Sequence, residues 1–206
     1  MFEDITFDTP PLSIAAHRSG NPHGPKLLAL HGWLDNAASF APLAPYFSDH
    51  DLIAIDLPGH GRSSHRPPGA WYHFIDYCSD VLAVVEALGW TRFSMLGHSL
   101  GGAIASVLGS ALADRVERLY LIESLGPISS AHSTLPELLA KALRDRVAIA
   151  GKQLRLFPDS AAAVTARLGN REMPLSMASA RLLVERGLRT VDGGFEWSSD
   201  PRLTLT

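Results

Sequence analysis

Two short stretches carry residue types whose spacing could do covalent chemistry. Gly97-His98-Ser99-Leu100-Gly101 places a serine between glycines where an apolar run ends and a helix can begin. This G-x-S-x-G pattern matches a nucleophile elbow, a strained strand-to-helix turn that lifts a serine hydroxyl out at the end of a sheet. Glycines at 97 and 101 omit side chains that would collide with the turn or with neighbouring strands. The second stretch, His31-Gly32-Trp33, lies about one strand–helix–strand step upstream. Attack of a serine on an acyl carbon needs two N–H donors aimed at the developing oxyanion. One comes from the residue after the nucleophile and one from an earlier loop. Ser99 as nucleophile, with the Leu100 and Trp33 amides as donors, is the expected arrangement. His31 is expected to brace its loop, because this chemistry asks only for the Trp33 backbone.

Such a serine needs a strand beneath it and a helix beyond it. The apolar runs Lys26–Leu30, Asp51–Ile55, Phe93–Leu96 and Leu119–Ile122 are short and bounded by polar or glycine signals, as expected of strands buried on both faces. Ile5–Phe7 and Ser13–Ala16 are weaker runs that suit an antiparallel pair at the sheet edge. Between them Ile75–Leu88 sets Val81, Val84, Val85 and Leu88 on one helical face, and Leu100–Leu112 is small and apolar nearly all round. This alternation predicts an α/β fold with a doubly wound, mostly parallel sheet. After Ile122 the rhythm changes to three helical patterns, Thr134–Ala150, Asp159–Leu168 and Ser176–Leu188. The expected division is a core over residues 1–130, a helical cap insertion over 131–200, and a return to the core over 201–206. Leu138, Leu139, Met177, Leu182 and Leu183 either roof an apolar acyl pocket or pack helices together.

Composition narrows the function classes. The 206 residues are 46% hydrophobic and 19% charged with a net charge of -3, which suits a globular protein. Neither nucleic acid nor an acidic membrane surface is an expected partner. Cys78 is the single cysteine, so no intrachain disulfide forms. With no basic and apolar leader pattern, the expected location is the cytoplasm. Asp56-Leu57-Pro58-Gly59-His60-Gly61-Arg62-Ser63 makes a tight turn at the same end of the sheet and is expected to buttress the pocket. No further ligands cluster near Asp56 and His60, so neither a metal nor another cofactor is expected.

Together HGW at 31–33, DLPGHGRSS at 56–64 and GHSLGG at 97–102 resemble the α/β-hydrolase family, in its serine-hydrolase-like, carboxylesterase branch. The likeness covers roughly residues 5 to 130, and EWSSDPRL at 196–203 resembles the cap exit of serine-hydrolase-like members. It implies cofactor-free hydrolysis of a small-molecule ester or related acyl compound by Ser99. A serine at the elbow sets the chain apart from the branches that use aspartate there. The family triad runs Ser, acid, His along the chain, yet no histidine follows His132. The chain is therefore expected to stop before the last two strands of the fold, with a histidine about 60–80 residues further on. Glu123, directly after Leu119–Ile122, is the candidate acid within the chain. Loss of a triad member costs about 10⁴–10⁶ in rate, so the chain by itself is expected to be nearly inactive, and its open sheet edge to invite self-association. A lyase or carbon–carbon bond hydrolase on the same scaffold, and a non-catalytic binding protein, are the alternatives.

Overall fold

The computed structural model describes residues 2–129, 134–149, 154–170 and 174–205. Six strands form one sheet: β1 (Glu3–Thr9), β2 (Leu12–Gly20), β3 (Lys26–Leu30), β4 (Asp51–Ile55), β5 (Phe93–His98) and β6 (Val116–Ile122). Their order is β1-β2-β4-β3-β5-β6. β1 and β2 are antiparallel to each other and β2 is antiparallel to β4, whereas β3–β4, β3–β5 and β5–β6 run parallel. The antiparallel edge pair expected from residues 5–16 is present, with both strands longer than their apolar runs. Ala15 and Ala16 sit within a 9-residue β2 whose end stays polar.

Alternation along the central strands builds two cores. Leu28, Leu30, Ile53, Ile55 and Met95 face one side and pack with Val81, Val84 and Val85 of α1 (Phe74–Ala87) and Ile104, Ala105 and Leu108 of α2 (Leu100–Ala111). Leu27, Ala29, Leu52, Ala54 and Leu96 face the other side and meet Ala37, Phe40 and Ala44. Those three residues come from two short 3-10 turns, Ala37–Phe40 and Ala44–Phe47, which the apolar pattern does not announce. Burial on both faces is what makes these strands read as continuous apolar runs. Among the described residues β6 pairs with β5 alone, and its Leu119 and Ile122 are exposed.

Beyond β6 lie α3 (Leu135–Ala148), α4 (Ser160–Leu168) and α5 (Met177–Gly187), close to their expected bounds. Asp159 and Ser176 accept backbone N–H groups as side-chain caps of α4 and α5. Thr134 stands at the start of α3 but makes no such cap. The region is not wholly helical as expected. β7 (Leu188–Val191) and β8 (Gly194–Trp197) form an antiparallel hairpin turning at Asp192-Gly193. Its strands are four residues each and too polar to read as buried strands, and Phe195 exchanges backbone hydrogen bonds with Phe157 at 2.7 and 2.8 Å. No helix among the described residues is long and apolar enough to cross a membrane.

Candidate active site

β3 has β4 on one flank and β5 on the other, so the chain leaves the sheet in opposite directions at neighbouring strand ends. In an open α/β sheet this reversal opens a crevice at the carboxyl ends. Every sequence-predicted site residue lies there: His31, Gly32 and Trp33 after β3, Asp56 and His60 after β4, Ser99 after β5 and Glu123 after β6.

Ser99 has φ 50° and ψ -114°, a conformation rarely taken by residues with a side chain. Strain of this kind costs about 1–3 kcal/mol and persists only where the surroundings enforce it. They do so through contacts on every side. The Ser99 amide donates to Ile122 O at 2.9 Å, its carbonyl accepts from the Ala103 amide at 3.0 Å, and the Gly101 amide donates to His31 O at 3.1 Å. A Cβ on Gly97 would stand 2.5 Å from Gly101 O, and one on Gly101 would overlap the Leu30 carbonyl. A Cβ on Gly32 would stand 2.9 Å from His98 Nδ1 and 3.4 Å from Ser99 Cβ. The two glycine motifs, 65 residues apart in sequence, are thus in direct contact. Ser99 heads α2, and among the described residues neither the Leu100 nor the Trp33 amide donates to a backbone carbonyl.

His31 behaves as a brace. Its ring is fully buried, its Nε2 accepts the Leu57 amide at 2.9 Å, and its Nδ1 therefore donates to Gly32 O at 2.7 Å. Burial lowers its pKa to about 4, so the ring stays neutral. His60, in edge contact with His31 at 5.0 Å, is likewise buried and its pKa lowered to about 3 by desolvation. Asp56 is fully buried. It accepts from the Ala37 amide at 2.7 Å and the Arg62 amide at 2.8 Å, and pairs with Arg186 Nε of α5 at 2.9 Å. Arg186, 2% exposed, also reaches Asp4 at 2.7 Å and His17 Nε2 at 2.5 Å. Asp56 therefore buttresses the crevice, and Arg186 joins α5 to it. Sequence reasoning missed Arg186. An arginine on an otherwise ordinary amphipathic helix carries no local sign that its partner lies 130 residues earlier.

Loop 31–36 has further anchors. Leu34 takes φ 58°, Asp35 pairs with Arg167 of α4, and Asn36 Nδ2 donates to Leu183 O of α5 at 2.9 Å. Burial raises the Asp35 carboxyl above the usual range, although Arg167 and His98 oppose the shift.

Ser99 opens on a cleft of about 720 Å³ with Trp33, Tyr72, Phe74, Leu100, Glu123 and Leu203 among its walls. Small-molecule sites typically occupy about 300–1,000 Å³. Among the described residues the Ser99 hydroxyl has no hydrogen-bond partner. Glu123, at φ 53° and with its side chain 81% exposed, sits 3.6 Å from His98 Nε2. His98 in turn packs on Gly32, so the carboxylate faces a histidine that does not bond to Ser99. His132 lies outside the described residues. Leu182 and Leu183 line a separate cavity of about 230 Å³ between α5 and the 3-10 turns, whereas Leu138, Leu139 and Met177 are exposed and are not among the described walls of the Ser99 cleft. No group of three or more His, Cys, Asp or Glu among the described residues could hold a metal ion.

Comparison with known proteins follows the same pattern. The model of the alpha/beta hydrolase fold family matches residues 25–178. The chain is 38% identical over 191 residues to a serine hydrolase-like protein of Danio rerio, a match covering 90% of this chain and 58% of that protein. A hypothetical protein of Pseudomonas aeruginosa PAO1 superposes with a TM-score of 0.93 at 43% identity, over 98% of this chain and 71% of that one. The thioesterase domain from the curacin biosynthetic pathway superposes with a TM-score of 0.84 at 25% identity, over 100% of this chain and 71% of that domain. The chain thus spans less than two thirds of the curated relative's length. With the match over residues 25–178 and the sheet, crossovers and elbow all in place, this chain belongs to the alpha/beta hydrolase fold family.

Proposed function

We propose that the protein is a serine hydrolase of small, apolar acyl compounds, carboxylic esters first among them. The observation that carries this reading is Ser99 lining an open cleft and held at φ 50° at the head of α2, where Gly32 leaves room that a Cβ would take beside His98 and Ser99. Ser99 Oγ attacks the acyl carbon, its proton passes to a histidine base, and the alkoxide oxygen is held by the Leu100 and Trp33 amides. The helix dipole of α2 favours the same negative charge. Collapse of the tetrahedral adduct expels the alcohol, and water then releases the acid by the reverse sequence. Residues 131–200 serve as the cap, and Glu123 is the candidate acid.

The cleft favours an apolar acyl group, since Trp33, Phe74, Leu100, Leu125, Ile128 and Leu203 line it. A lyase or carbon–carbon bond hydrolase would be favoured by a buried Arg or Lys facing Ser99, and the described walls carry neither. The test is covalent labelling with a fluorophosphonate in protein made from the full coding sequence. The reading expects one adduct, mapped to Ser99, that Ser99→Ala abolishes, together with cleavage of short-chain aryl esters. An unlabelled protein that leaves those esters intact would end it.

A further inference from the structure

Of the segment after the hairpin, residues 198–203, only Leu203 has a role above, as a wall of the cleft, yet the whole stretch is heavily bonded. Asp200 is 2% exposed. Its amide donates to Gly59 O at 2.8 Å, and its carboxylate accepts Tyr72 Oη at 2.7 Å and Arg202 Nη2 at 2.6 Å. Burial pushes this carboxyl up, but the Arg202 and Tyr72 bonds outweigh burial and hold it below the usual range. Arg202 spends its remaining donors on three carbonyls of one loop, Arg66 at 2.5 Å, Pro67 at 3.0 Å and Ala70 at 2.9 Å. His65 Nε2 donates to Ser198 O at 2.7 Å.

One residue beyond this clamp, the Leu203 carbonyl accepts the indole N–H of Trp33 at 3.2 Å, while the Leu203 side chain is buried in the core and walls the cleft. Trp33 lies between Gly32, where an added Cβ would stand 3.4 Å from Ser99 Cβ, and Leu34 at φ 58°. A leucine in that conformation is strained and needs fixed points on either side of it. Arg167 and Leu183 supply them at residues 35 and 36, and Leu203 O supplies one at residue 33.

We propose that Asp200 and Arg202 are positioning residues, fixing Leu203 O so that it anchors the Trp33 indole and thereby aims the Trp33 amide at the oxyanion formed at Ser99. The inference rests on the reading of Ser99 as nucleophile. A rigid outer set of bonds is what holds an oxyanion donor to the narrow tolerance that catalysis requires.

The test uses protein from the full coding sequence and two readouts. One is the fluorophosphonate labelling rate of Ser99, and the other is the fluorescence of Trp33, isolated by difference from Trp33→Phe. R202Q should slow labelling at saturating probe about 10–100-fold, the scale of a misplaced oxyanion donor, with little change in half-saturating probe concentration. It should also shift the Trp33 emission to the red. W33F, which deletes the indole N–H and keeps the amide, should slow labelling similarly. The double variant should be no slower than the slower single one, because both act through the same bond. If R202Q fails to fold, W33F alone decides, by slowing labelling or not. Wild-type labelling rates in a folded R202Q of lowered thermal midpoint would overturn the proposal, as would effects that multiply in the double variant. A wild-type protein that never labels, while R202Q still shifts the Trp33 emission, would overturn the reading of Ser99 and support the tether.

Discussion

The crevice floor and helix α3 are built on opposite terms. Around residues 31–36, 56–60 and 97–101, several buried polar groups have partners that reach across the fold, Asp56 with Arg186, His31 with Leu57 and Asp35 with Arg167, while His60 Nε2 and Arg186 Nη2 have no hydrogen-bond partner among the described residues. α3 buries no residue, and Leu135, Leu138, Leu139, Leu143 and Val147 are all exposed. Its tie to the rest includes Arg146 over the Trp71 ring at 4.5 Å. Burial raises the stakes of each polar contact, since an unpaired buried charge or donor costs far more than an exposed one. The floor is therefore both the most specific part of the molecule and the most vulnerable, whereas α3 tolerates change.

The largest expected effect comes from acid. His31 and His60 have folded pKa values lowered to about 4 and about 3, against 6.5 in the unfolded chain. The unfolded state then binds more protons, so their contribution is complete above about pH 6.5 and is lost as pH falls toward 4 and below. His17, lowered chiefly by desolvation, acts in the same direction, while Asp35, raised by burial, opposes it. Two lowered histidines of this size amount to several kcal/mol, of the order of a domain's whole stability. Urea unfolding at steps from pH 7.5 to 4 should show a steep decline, and a flat profile would break the contrast.

Next in size is Arg186→Ala, which leaves Asp56 charged and fully buried beneath the crevice. A loss of about 3–5 kcal/mol is expected, read as a fall in the urea midpoint at pH 7. A loss under 1 kcal/mol would mean that water reaches Asp56 in solution. Smallest is Leu139→Ala on α3, 55% exposed, which should shift stability by less than about 0.5 kcal/mol. A cost of 2 kcal/mol or more in a thermal scan would show α3 packed against something, and the comparison would have to be redrawn.

Legibility follows the same divide. β3, β4 and β5 were readable because burial on both faces forces an unbroken apolar run, and α1 because one side of it packs on the sheet. The elbow was readable because its G-x-S-x-G spacing is contiguous, although the backbone that excludes a Cβ at Gly101 is that of Leu30, far earlier in the chain. The hairpin Leu188–Trp197 was not, since its short strands are half-exposed and owe their place to a bridge with Phe157. Asp56 was legible as a support, but its partner was not. Ion pairs between residues 56 and 186, or 35 and 167, arise from topology, and no window of sequence contains both ends. Glu123 was placed correctly after β6, while the local sequence could not show that it would face His98.

The indole–carbonyl bond between Trp33 and Leu203 spans 170 positions. During synthesis the bend at residue 99 and its supporting strands, the last of them β6 ending at Ile122, are made roughly 80 residues before that carbonyl exists. At typical elongation rates of about 5–20 residues per second, this is an interval of about 4–16 s. Until Leu203 is made, the loop opposite the serine is therefore untethered at its indole, and the pair of amides can take its final aim only once that residue has joined the fold.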